Sequence, residues 1–129
     1  MNREFKFRVW RHTDKEWGNV ACIEVFDSSG VLEYLYQDQE NTIQQYIGMK
    51  DKNDKEIYEG DIVKTIYDQI GKIEYDRVFT SFRILCGHTS VPITTYRFDE
   101  LGKPVGLIEV IDKVIGNISE NPELLNNQP

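Results

Sequence analysis

Phe5, Phe7 and Val9 alternate with Lys6, Arg8 and Trp10. That is the period of two of a strand with one buried face, and it predicts a first strand over residues 5–10. His12 to Glu16 reads as a polar turn. Trp17 to Val20 and Ile23 to Phe26 continue as apolar and β-branched until Asp27-Ser28-Ser29-Gly30 breaks the run, and a hairpin into Val31 to Tyr36 is expected. Gln37 to Thr42 is polar and suits one helical turn, whereas Ile43 to Gly48 holds no clear period and reads as a strand. Asp51 to Lys55 is a charged tip of turn-forming residues, expected in solvent. Gly60-Asp61 then stands directly before a β-branched run, Gly71 to Tyr75 supplies a partner strand, and further strands are expected at Phe79 to Leu85, Val91 to Arg97 and Leu107 to Ile111. From Val114 the chain reads as a strand followed by a capped helical turn. Asn121 is the expected cap, Pro122 suits the first helical position, Glu123 lies near the positive end of the dipole, and Leu124 and Leu125 would pin the turn to the barrel.

Composition sharpens this into a fold class. Val and Ile together number 24 and Ala and Leu only 8, and β-branched side chains suit pleated strands better than helices. The 129 residues amount to one domain's worth of chain. Many short strands with regular turn signals predict a mainly β domain spanning 1–129: a small, partly open barrel, SH3-like or OB-like, with additional strands and one or two short helical turns.

Charge and cysteine content narrow the partners. Fifteen Lys and Arg against 22 Asp and Glu leave a formal charge of −7, which counts against a broad phosphate-binding face. The exception is local, because Arg3, Lys6, Arg8, Arg11 and Lys15 crowd the first 17 residues. Cys22 and Cys86 are too few for a disulfide framework and read as buried thiols. No apolar run approaches a bilayer span and the charged start lacks the apolar stretch of a signal peptide, so no membrane association and a cytoplasmic location are expected.

Three stretches together resemble the YopX-like family of phage and prophage proteins: FKFRVW at 5–10, QYIGMKDKNDKEIYEGDIV at 45–63, and VIGNISENPELL at 114–125. They fall at the start, middle and end of the chain. The residues that carry the motif are Tyr46, Gly48, Tyr58, Gly60, Asp61, Gly116, Asn117, Asn121 and Pro122, and their expected role is structural. One departure is Asp54, where the family pattern usually has Gly; Asp can occupy a left-handed turn position at more steric cost. The resemblance implies a β-rich, partly open barrel in a phage or prophage protein, with oligomeric assembly unsurprising. It implies no catalytic residues.

Each candidate site has a plainer reading beside it. Glu56, Glu59 and Asp61, with Asn117, Glu120 and Asn121, offer oxygen ligands for Mg²⁺ or Ca²⁺, yet the spacing matches no defined metal loop and turn chemistry accounts for Gly60-Asp61. Cys86-Gly87-His88 with Cys22 and His12 offers soft ligands for zinc or a nucleophile and base, but lacks the second close pair and any orienting third group. Lys6, Arg8 and Trp10 share one strand face beside Arg11, a pattern that can stack and track single-stranded nucleic acid; packing of Trp10 is the plainer alternative. Tyr46, Tyr58, Tyr67 and Tyr75 suit either core or interface. The leading expectation is a non-enzymatic binding or assembly module with no cofactor, contacting itself as a homo-oligomer or another phage or host protein. A nucleic-acid module using Lys6, Arg8 and Trp10 comes second, and a metal-dependent protein at Glu59, Asp61 and Glu120 third.

Overall fold

The computed structural model describes residues 6–12, 15–19 and 41–126. The strands expected at Ile23 to Phe26 and Val31 to Tyr36, and Cys22, lie outside them. The described residues form a mainly β structure whose sheets curl into a half-barrel. One four-stranded sheet runs in the order β2 (Glu16–Asn19), β1 (Phe7–Arg11), β3 (Asn41–Lys50), β4 (Glu56–Tyr58). A five-stranded sheet has the order β11 (Ile111–Asn117), β5 (Asp61–Thr65), β6 (Ile70–Asp76), β7 (Ser81–Cys86), β8 (Thr89–Pro92). Between β8 and β11 the chain makes a separate two-stranded ribbon of β9 (Thr94–Phe98) and β10 (Pro104–Glu109). A 3-10 turn, Pro122–Leu125, follows β11. No helix among the described residues is long and apolar enough to cross a membrane.

The core is built on β5, buried almost throughout with Ile62 and Val63 both fully covered, and on the inward positions of β6 and β7. Ile57, Val63, Ile73, Ile84, Val110 and Ile111 are buried together, with Val91, Ile93, Val114 and Cys86 packed around them. Complete burial of an Ile contributes about 1.5–3 kcal/mol, so this cluster supplies much of the packing that stabilises the five-stranded sheet. The corner between the two sheets is Gly60. Its φ of +88° suits glycine, its N–H donates to the Ile73 carbonyl at 2.8 Å, and its carbonyl accepts from Ile118 at 2.9 Å. The ambiguous period of Ile43 to Gly48 has a cause: β3 pairs first with β1 and then with β4, and its register slips between Tyr46 and Lys50, where Gly48 sits at φ +94°.

Three turns share one construction. In Asp51–Lys55, Thr65–Gln69 and Asp99–Lys103 the first side-chain oxygen accepts the amides two and four residues on. The fourth residue of each is left-handed: Asp54 at φ 65°, Asp68 at 64° and Gly102 at 78°. The left-handed setting expected for Asp54 is thus present. Asp51, expected in solvent, is buried, because its second oxygen reaches across to accept the Val114 amide at 2.9 Å.

Other boundaries move for local reasons. The strand expected from Phe79 begins at Ser81, since Asp76 accepts the Val78 and Phe79 amides and Thr80 is left-handed at φ 50°. Val91 to Arg97 and Leu107 to Ile111 are each split, at Ile93 and Val110, which hydrogen-bond to one another at 2.7 Å where the ribbon leaves the sheet. Asn41 and Thr42 are strand rather than the end of a helical turn. Asn121 makes no side-chain cap: its backbone carbonyl accepts the Leu124 amide, and its side chain lies with Leu124 over Gly116, where a Cβ would sit 2.7 Å from Leu124 Cδ1.

Candidate functional site

The three signature stretches meet at one buried polar cluster. Alternation along β1 turns Arg8 inward, where its guanidinium lies 3.9 Å from the Trp17 ring centre and 4.2 Å from that of Tyr58. Arg8 Nη2 donates to Asp61 Oδ1 at 2.5 Å. The same oxygen accepts Asn117 Nδ2 at 2.9 Å, and Asp61 Oδ2 accepts the Tyr58 amide at 2.8 Å. Gln44 Oε1 accepts from Arg8 Nε and Nη2 and from Asn117 Nδ2, and Gln44 Nε2 donates to Asn117 Oδ1. Asn117 Oδ1 also accepts the Ser119 amide. Burial pushes the Asp61 carboxyl up, opposed by the Arg8 charge, the Tyr58 amide and Asn117. Among the described residues no buried side-chain nitrogen or oxygen lacks a partner, so the cluster acts as a clasp tying β1, β3, the Gly60 corner and β11 together.

The face expected to offer cations and an aromatic to nucleic acid is therefore turned onto the protein itself. Lys6 pairs with Glu56 at 2.5 Å and lies over Tyr46. Trp10 is 7% exposed and packs edge-on against Trp17. Arg11 alone of the four is exposed, beside Gly18. The inward turn follows from residues distant in sequence, Glu56, Asp61 and the rings of Trp17, Tyr46 and Tyr58, which supply carboxylates and π faces opposite the cations.

The oxygen-ligand candidates separate in the same way. Asp61 belongs to the clasp, Glu120 accepts the Trp17 indole N–H, and Glu59 lines an open groove of about 300 Å³ with Thr42, Gly60, Lys72, Glu74 and Ile118. Burial pushes the Glu59 carboxyl up, a backbone bond at Gln45 opposing and Glu74 adding to the shift. No three His, Cys, Asp or Glu side chains among the described residues come together as a metal-binding group. Cys86 is half-buried against the core and burial raises its thiol; His88 is exposed, and His12 bonds Thr42. Tyr46 and Tyr58 are buried opposite one another, while Tyr67 and Tyr75 are exposed.

The feature missed by the sequence is the ribbon. Tyr96 stands opposite Leu107 and Phe98 opposite Pro104, which puts Tyr96, Phe98 and Leu107 on one face. All three are more than half exposed, and Leu101 at the tip is 92% exposed. The sequence reads strands at Val91 to Arg97 and Leu107 to Ile111; nothing local says that no other sheet among the described residues pairs with them.

The family model described as YopX protein matches residues 6–126. A solved structure, protein EF1440 from Enterococcus faecalis, is similar at 26% identity with a TM-score of 0.59, over 96% of this chain and 99% of that one. Among curated proteins none matches.

Proposed function

Because the chain belongs to the YopX family, we propose that it is a phage- or prophage-derived binding and assembly module of the bacterial cytoplasm, without catalytic residues, that works through protein contacts made by the β9–β10 ribbon. The observation that carries this reading is the exposed Tyr96, Phe98 and Leu107, with Leu101 at the connecting tip, on two strands that pair with no other sheet among the described residues. A bare two-stranded ribbon is marginal in water, and contiguous exposed apolar surface marks contact sites. The nucleic-acid alternative draws no support from Lys6, Arg8 and Trp10, whose side chains already meet partners within the chain.

A photo-crosslinking residue placed at Leu101 or Leu107, and as a control at the exposed Asn53 turn, tests the proposal in bacterial cells producing the protein. Adducts to a defined protein, this chain included, are expected from the ribbon positions and not from Asn53. Equal labelling from all three positions, or none from the ribbon, refutes it.

A further inference from the structure

The two edges of the ribbon are not alike. β10 begins with Pro104, which has no N–H to offer, and carries an extra residue, Val105, where its register against β9 shifts between Pro104 and Gly106. Proline and bulges are the devices by which edge strands are closed to pairing. β9, Thr94-Thr95-Tyr96-Arg97-Phe98, has neither proline nor glycine, is regular along its length, and consists of β-branched and aromatic residues apart from Arg97. Its outer edge pairs with no strand among the described residues.

Resting on the reading of the ribbon as a contact surface, we infer that β9 pairs antiparallel with β9 of a second copy of this chain, about a two-fold axis at Tyr96. The segment is self-complementary in that register. Tyr96 meets Tyr96, Thr94 meets Phe98 and Thr95 meets Arg97, so no like charges stand opposite one another, as an isologous contact requires. The pairing joins Tyr96, Phe98 and Leu107 of both copies into one apolar face on a four-stranded sheet.

Sedimentation of the full chain over a range of concentrations tests this, comparing the wild type with Tyr96→Lys and with Asn53→Lys in an exposed turn outside the ribbon. Tyr96 is 59% exposed, and unchanged urea unfolding of Tyr96→Lys establishes that the variant is folded. The wild type is expected to form a reversible dimer. Tyr96→Lys, which sets two ammonium groups across the axis, should weaken it about tenfold or more, and Asn53→Lys should leave it within about threefold. A wild type that stays monomeric overturns the inference while leaving ribbon contact with another protein intact. A dimer indifferent to Tyr96→Lys, or weakened equally by Asn53→Lys, also overturns it and moves self-association to another surface.

Discussion

Replacing Arg8 with Met removes the cation from the clasp and keeps most of the apolar stem between the rings. Asp61 is left with its side chain 2% exposed and only the Tyr58 amide and the Asn117 amide group to serve it. Breaking a buried pair by deleting one partner costs about 3–5 kcal/mol, because the remaining charge is uncompensated. That is a large share of the roughly 5–15 kcal/mol by which such domains are stable. Urea unfolding followed by tryptophan fluorescence suits the measurement, since the Trp17 ring lies against the guanidinium.

Asp61→Asn should also destabilise, because an amide presents N–H where Arg8, Asn117 or Tyr58 already donates. The double variant should cost about 2 kcal/mol less than the sum, the coupling expected of direct partners. The effect has a definite pH dependence. Burial already makes Asp61 hold its proton more tightly in the folded than in the unfolded chain, against the pull of Arg8. Its ionisation therefore works against stability as pH rises through the folded pKa. Without Arg8 that pKa rises further, so the deficit of Arg8→Met should be greatest near neutrality and shrink as pH falls through the variant's raised value. A loss below about 1 kcal/mol, additive double variants, or a deficit that does not shrink in acid would refute the clasp as an energetic unit.

Asp51→Asn tests the turn that reaches β11. Burial alone would raise the Asp51 carboxyl, but the amides of Val114, Lys55 and Asn53 and the Lys55 charge together hold it below the ordinary value. Its contribution is thus present above the unfolded carboxylate pKa of about 3.9 and lost as pH falls through the lower folded value. The variant should lose about 2–3 kcal/mol near neutrality, with an N–H set against the Val114 amide, and its urea midpoint should converge on the wild type below about pH 4; parallel curves across that range count against the assignment. Gly60→Ala places a Cβ 2.5 Å from Gln44 Nε2 at a left-handed φ of +88°, and the strain plus the disturbed clasp should cost about 2–4 kcal/mol. An unchanged unfolding midpoint for this variant would show that the sheet corner tolerates a side chain.

The sequence by itself determined what depends on near neighbours. Alternation and β-branched composition marked β1, β5, β6 and β7 as strands, Asp and Asn placed the turns, and the signature stretches identified the family, because each signal lies within a few consecutive residues. Which face of β1 points inward was decided by tertiary structure. Lys6, Arg8 and Trp10 look like a solvent-facing set until Glu56, Asp61, Trp17 and Tyr58 are brought against them from up to 53 residues away. The burial of Gln44 and Asp51 was equally invisible, since a polar side chain is stable inside only when its partners come from other strands. So too was the exposure of β9 and β10, which pair with no other sheet among the described residues, because a strand's pattern records which of its faces is apolar, while what covers that face belongs to the assembled chain.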